Sequence, residues 1–426
     1  MNEQVVSEQV VNEQVVTERA DDPPARIARR HVAVRYRLTP WWLRVIAIWA
    51  LSRVITTSLL LLFASWQPRN YWTGPHPGYL DFAQLWDSTW YHYVAVSGYP
   101  PSLPVDAAGH VTQNSWAFMP AYPMLVRFLM TVTSLPWNVL SVLVSFAFSL
   151  AAALVFYRLM RHVLPAGTAM FAVVLFCVAP LSPILQVSYA EPMFLFLLAL
   201  ALLLLVTRRY ALMFPVVALA GLTRPGLLAL ALTLGLHVIL RWIRRASDPF
   251  PVGERVLAIA ITLFTAVAGL AWPALAWYVT GVPAAYTDTE LAWRADYIGY
   301  QSLLPFTPWL QAAGFWAGQW HLGWWTYPLV VLLVTGFGAL LFVPAVRRLG
   351  PDLRLWIASY GLYLFAVFFP QSSTFRLLVP LFPLLGAAAV PTSRWYRGSL
   401  VVLSIAGQFG WLYICWWSNG YDWTPP

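Results

Sequence analysis

The chain has 426 residues, 60% hydrophobic and 10% charged, with a formal net charge of +9 in which every one of the 26 basic residues is arginine. That composition excludes an ordinary soluble domain, and small groups of arginine between long apolar runs read as membrane topology, not as a nucleic-acid surface. Cys177 and Cys415 both lie inside apolar runs, so neither a disulfide framework nor a zinc site is on offer.

Residues 1–40 are of a different character. The unit Ser/Asn-Glu-Gln-Val-Val recurs three times from Asn2 to Val16, a period of five that matches neither helix nor strand, and an Arg-rich, Pro-containing stretch follows. The expectation is a disordered cytoplasmic tail, with residues 41–426 forming one transmembrane domain. The acidic start and the distance to the first apolar run do not resemble a cleavable signal, so the first span is retained.

Runs such as Ala151–Val155 and Leu198–Leu205 do not alternate, which points to helices over a β-barrel. The predicted fold class is all-α and polytopic. About eleven spans are predicted, at roughly 41–65, 138–160, 168–187, 191–207, 211–222, 226–243, 253–279, 326–346, 355–370, 376–391 and 398–416. Arginine clusters at Arg158/Arg161, Arg208/Arg209, Arg241/Arg244/Arg245, Arg347/Arg348/Arg354 and Arg394/Arg397 then fall on every second loop, placing the N-terminus on the cytoplasmic side of a plasma membrane and the C-terminus outside. The stretches 211–222 and 376–391 are short for a ~30 Å core and are expected to be broken or re-entrant. Trp116–Thr133 is apolar but Pro-punctuated, and is read as interfacial or half-inserted because a span there would invert every later loop.

Two large extracytoplasmic loops result, residues 67–113 and 281–326. They carry Asp81, Asp87, Asp106, Asp288, Glu290 and Asp296, six of the eleven acids left once the tail is removed. The outer face is therefore where chemistry is expected. Both loops are rich in Trp and Tyr, which suit a lipid–water boundary and also stack on sugar rings.

Three segments carry a resemblance: Trp86-Asp87-Ser88-Thr89-Trp90-Tyr91 through Gly98-Tyr99, then Ala117-Phe118-Met119-Pro120-Ala121-Tyr122-Pro123, then Ser188-Tyr189-Ala190-Glu191. In order and approximate spacing they resemble the PIG-V family of GT-C mannosyltransferases. The resemblance implies a GT-C fold and transfer of mannose from a polyprenyl-phosphate-linked donor to a glycolipid or cell-envelope glycan acceptor. It also implies that the acid of the first outer loop is the base, and that a β-linked donor is inverted to an α-mannoside. The sequence departs from the family after Leu222, where Thr223-Arg224 runs into Pro225-Gly226 instead of small polar residues.

The residues support such a reaction on their own terms. Transfer from a lipid phosphate needs a carboxylate to take the acceptor's proton, a cationic site for the leaving phosphate and an apolar groove for the lipid. Asp87 is the candidate base, with Trp86, Trp90 and Tyr91 flanking it to desolvate it and hold the acceptor ring. His92 is a possible acceptor contact or a plain polar belt residue. Asp81 either assists or caps a short helix. Arg224 and Arg376, at the outer ends of spans, are candidates for the phosphate, since a guanidinium fork matches phosphate oxygens. Glu191 is either a helix-start carboxylate or part of the pocket. Arg53 lies near the middle of the first span, where a charge needs a partner, and Glu191 is the first partner to test.

No metal or cofactor is expected, because neither Asp81 nor Asp87 has a close acidic neighbour. A soluble nucleotide-sugar donor is disfavoured, since the cytoplasmic loops are too short for a Rossmann-like domain. The alternative reading is a lipid or oligosaccharide transporter, which should show paired broken helices in two halves, and no such repeat is apparent.

Overall fold

The computed structural model describes residues 39–418, so the predicted tail falls outside the described residues but for its last two. Met1–Arg44 separates as a unit of its own, whose described end is closed by Arg44 donating to the Thr39 carbonyl from Nε (2.9 Å) and Nη2 (2.7 Å).

The second unit, Val45–Pro426, is helical, with one isolated β-bridge between Val105 and Val111 among the described residues. Its main helices are α1 (Trp41–Trp66), α2 (Asp87–Ser97), α3 (Ala121–Thr133), α4 (Trp137–Val163), α5 (Ala166–Val178), α6 (Glu191–Val206) and α7 (Tyr210–Gly221). They continue as α8 (Leu227–Ile243), α9 (Val252–Thr280), α10 (Ala285–Ala292), α11 (Pro308–Gln319), α12 (Thr326–Leu340), α13 (Gly350–Val367) and α14 (Arg394–Trp411). Five helical stretches are long and apolar enough to cross a membrane: Trp41–Trp66, Trp137–Val163, Val252–Thr280, Gly323–Leu340 and Arg394–Trp416. Their outward residues, such as Leu51, Val54, Leu263, Val267 and Leu332, are exposed apolar side chains. So continuous an apolar surface suits lipid and would be an aggregation hazard in water.

The shorter apolar helices owe their stability to protein neighbours. α6 is apolar all round and buried along most of its length, as a helix at the centre of a bundle must be. Small residues on α4 recur every fourth position, at Ser141, Ser145, Ser149 and Ala153, all buried. That stripe lets neighbouring backbones approach closely, and its hydroxyls become interhelical hydrogen-bond partners. Trp49 Nε1 donates to Ser149 (2.9 Å), Ser145 donates to the Tyr189 carbonyl (3.1 Å), and the Ser141 and Ser188 hydroxyls meet at 2.7 Å.

Proline explains where the observed helices stop short of the predicted spans. The stretch read as one span over 168–187 divides into α5 and a 3-10 turn, Ser182–Gln186, because Pro180 and Pro183 cannot supply backbone donors. The stretch over 376–391 is broken, as expected, into turns at Thr374–Leu377, Val379–Leu381 and Pro383–Ala388 around Pro380 and Pro383. α3 is a 13-residue amphipathic helix, about 20 Å long at 1.5 Å per residue and too short to span alone. The loop 281–326 contains α10, a turn at Ala295–Ile298 and α11, so it is largely helical.

Two ends of the bundle are polar. α6 starts at Glu191 and is followed by Arg208, and α7 and α8 lead away from Arg208 and back, so residues near 191 and 224 share one end. At the other, His237 is bonded to Asp352 (2.7 Å) and Tyr210 (2.9 Å), and Arg241 to Tyr210 (3.2 Å), Glu254 (2.9 Å) and the Pro249 carbonyl (2.7 Å). These bonds lash α7, α8, α9 and α13 together.

Candidate active site

The site forms where the segment before α2 docks on the segment before α6. Tyr79 donates to the Gln186 carbonyl (2.7 Å), and the Ser188 amide donates to the Ala83 carbonyl (3.2 Å). Gln84 lies between, its Oε1 accepting from Ser88 (2.8 Å) and Trp137 Nε1 (2.8 Å) while its amide reaches Ser188. The chain then turns through Trp86 at φ 60° and ψ −124°, a backbone state that a tryptophan rarely adopts. It is held there by burial, by Trp72 packed on its ring (4.6 Å between centroids) and by an indole bond to the Trp416 carbonyl (3.1 Å). Strained non-glycine backbone of this kind costs about 1–3 kcal/mol and gathers at functional sites. Its effect here is to start α2 at Asp87, whose amide donates to the Tyr189 hydroxyl (3.1 Å).

Four charges meet at this point. Arg376 Nη1 donates directly to Asp87 Oδ2, and Arg224 Nη1 donates to Glu191 Oε1 (2.6 Å). Arg376 Nε lies 3.6 Å from the same Glu191 oxygen and its guanidinium sits over the Tyr189 ring (5.6 Å). All four side chains are largely buried, between 5% and 13% exposed. Both carboxylates are first residues of helices, where the helix dipole favours negative charge. Within the foursome the charges cancel, which makes such burial tolerable. Satisfaction is incomplete, because Arg376 Nε and Glu191 Oε2 are buried with no hydrogen-bond partner. Tyr91, fully enclosed, accepts from Arg224 (3.4 Å).

Glu191, Arg224 and Arg376 line a narrow cleft with Phe194, Pro225 and Tyr360, with room for about a single water molecule, ≈ 20 Å³. Leu195 and Val379 belong both to this cleft and to a larger apolar groove of ≈ 300 Å³, walled by residues 179–185 on one side and 378–385 on the other. A charged pocket therefore opens beside an apolar slot. Among the described residues no three His, Cys, Asp or Glu side chains gather into a group that could hold a metal ion.

The structure brings Asp87, Tyr91, Glu191, Arg224 and Arg376 together, although up to 289 residues separate them in sequence. It does not bring in the remaining candidates. Asp81 is exposed in the turn Tyr79–Phe82, apart from the cluster, and makes no cap bond. His92 points off the opposite face of α2 and stacks on Trp137 (5.1 Å), as a belt residue would. Trp86 is sealed in the core as a support for Asp87. Trp90 stacks on Phe118 (5.7 Å, 7°) at the rim.

Arg53 does not pair with Glu191. It donates instead to the carbonyls of Cys177 (2.7 Å), at the end of α5, and Ser182 (3.0 Å), at the start of the 3-10 turn. Glu191 already has Arg224, so the buried arginine is satisfied by backbone dipoles.

Sequence reasoning missed two residues. Tyr189, whose ring lies under Arg376 and whose hydroxyl holds the Asp87 amide, sat within the motif ending at Glu191 but carried no chemistry of its own to flag it. Glu290 was noted as a loop acid alone. Its side chain is exposed by surface area yet hemmed in by protein, and this desolvation pushes its carboxyl up to about 7 against opposing contributions from Tyr286, Arg224 and Arg376.

No family model matches the chain, and no curated protein is significantly similar to it.

Proposed function

We propose that the chain is a membrane glycosyltransferase of GT-C type that moves a sugar from a polyprenyl-phosphate donor to a hydroxyl of a glycolipid or cell-envelope glycan on the extracytoplasmic face. The observation that carries this reading is the adjacency of a two-arginine, two-carboxylate cleft and an apolar groove. A lipid-linked phosphosugar has this polarity, with a long apolar chain ending at an anion.

In the proposed reaction the isoprenoid lies in the groove and its phosphate meets Arg224 and Arg376. The acceptor oxygen attacks the anomeric carbon, the carbon–oxygen bond to phosphate breaks, and the electron pair stays on the phosphate. Asp87 takes the acceptor's proton. Arg376, shared between Asp87 and the phosphate, stabilises the negative charge that develops on the leaving group. Displacement in one step inverts the anomeric centre. Mannose as the sugar rests on the likeness of the three motifs to the PIG-V family.

The test uses full-length protein in lipid vesicles with radiolabelled polyprenyl-phosphate-mannose and a membrane lipid extract. A labelled product is the expected result, lost in Asp87→Asn, since removing a general base costs about 10²–10⁴ in rate. The absence of any labelled product, with downhill movement of the lipid across the bilayer instead, would favour a transporter. Full turnover by Asp87→Asn would remove Asp87 from its role.

A further inference from the structure

The transferase reading leaves the acceptor without a binding site, and α10 supplies the residues for one. We propose that Glu290 and Trp293 form the subsite that holds the acceptor sugar, the Glu290 carboxylate accepting from a ring hydroxyl and the Trp293 indole N–H donating to a neighbouring oxygen. The proposal rests on that reading of the cleft.

Three residues separate Glu290 and Trp293 on one continuous helical stretch, since Trp293 caps α10 with helical backbone angles, so they share a face. That face looks toward Asp87. The Trp293 ring meets the edge of Trp90 (5.6 Å) and of Phe118 (5.8 Å), and Trp90 stands one turn beyond Asp87 on α2. Asn114 Nδ2 donates to Thr289 Oγ1 (3.0 Å), which fixes α10 against the turn Ser115–Ala117 that leads into α3. The carboxylate is close enough to interact electrostatically with Arg224, Asp87 and Arg376.

Two further observations mark these groups as awaiting a ligand. Trp293 Nε1 is buried with no hydrogen-bond partner, a state that costs about 1–3 kcal/mol unless something fills it. The Glu290 side chain, by contrast, keeps exposed surface although protein surrounds its carboxyl. Arg294 is four residues on and Tyr286 four residues back, and both act electrostatically on its carboxyl. Its elevated pKa reflects removal from bulk water without a dedicated counterion. A carboxyl beside aromatic faces and an unpaired N–H is an arrangement suited to a pyranose, whose vicinal hydroxyls both donate and accept while its C–H face packs on rings.

The test measures octyl α-mannopyranoside as a surrogate acceptor, with wild type, Glu290→Gln, Glu290→Asp and Trp293→Phe in lipid nanodiscs. Binding is followed by calorimetry without donor, and transfer by kinetics with polyprenyl-phosphate-mannose. Glu290→Gln should weaken acceptor binding and raise the acceptor KM by about 10-fold or more, the loss of one hydrogen bond to a charged group, with donor KM and kcat within about twofold. Trp293→Phe should raise the acceptor KM by a smaller factor, and Glu290→Asp should recover part of the loss and guard against a misfolded glutamine variant. An acceptor KM unchanged in an active Glu290→Gln overturns the subsite and leaves the transferase reading intact. Glu290-dependent binding with no transfer by wild type does the reverse. Neither binding nor transfer overturns both.

Discussion

Arg376 serves two carboxylates, and a double-mutant cycle should expose that asymmetry. Removing one partner of a buried ion pair costs about 3–5 kcal/mol, mostly because the other charge is stranded. Asp87→Asn keeps an acceptor oxygen for Arg376, and Arg376 still has Glu191 at 3.6 Å, so about 2–3 kcal/mol is expected. Arg376→Gln strands Asp87 altogether and leaves Glu191 to Arg224 alone, which places its cost at about 4–5 kcal/mol. In the double variant an amide faces an amide, and Glu191 keeps Arg224 at 2.6 Å. Its loss should be no greater than that of Arg376→Gln, giving a coupling of about 2–3 kcal/mol. The assay is reversible unfolding of bicelle-reconstituted protein by SDS, followed by tryptophan fluorescence. A coupling below about 0.5 kcal/mol, or equal costs for the two single variants, would refute the shared-arginine account.

Three other outcomes follow from single features. At Trp86 both alanine and glycine lose the same packing, about 3–5 kcal/mol, but glycine also relieves the positive-φ strain, so Trp86→Gly should be the more stable by about 1 kcal/mol in thermal unfolding. An alanine variant of equal or greater stability would count against that strain. Arg53→Met removes two hydrogen bonds to buried carbonyls and should cost about 2 kcal/mol or more, with Arg53→Lys losing less, and an unchanged melting temperature for the methionine variant would contradict this. Glu290 is raised from 4.5 to about 7, so the folded protein keeps a proton that the unfolded chain releases between those values. The stability this contributes is complete below pH 4.5 and is lost as pH rises through 7. Glu290→Gln should flatten that slope, the groups facing it being Tyr286, Arg294, Tyr363, Arg224, Asp87 and Arg376, and an unaltered slope would show that Glu290 does not titrate there.

Helix positions were legible because apolar runs and prolines act locally: α1, α4, α6, α8 and α9 begin and end within a few residues of the predicted spans. That Asp87, Glu191, Arg224 and Arg376 need partners was legible because each is a charge near an apolar run, an expense that needs a reason. Pairing was not. Which carboxylate meets which arginine depends on how helices α1, α2, α6 and α8 pack, and nothing in the local sequence of Arg53 says that the Cys177 and Ser182 carbonyls, on either side of the break after α5, will satisfy it. Asp81 and His92 lie apart from the cluster for the complementary reason, since sequence proximity to Asp87 does not decide which side of a turn or helix a residue occupies.

The contacts of Arg53 also bear on how the apolar groove could accommodate a lipid. Its guanidinium clamps the backbone at Cys177 and Ser182, on either side of the groove-lining residues Ala179, Pro180 and Leu181. Displacing that wall would strand a cation in a hydrocarbon setting. The opposite wall, 378–385, is an interrupted helix tied by neutral bonds instead, the Trp356 indole donating to the Pro380 carbonyl (2.9 Å) and the Tyr360 hydroxyl to the Leu377 carbonyl (2.8 Å). Widening of the slot therefore falls to the interrupted side, which also carries Arg376 two residues upstream, so a chain wedged between the walls would pull on the cation that the proposed reaction assigns to its headgroup.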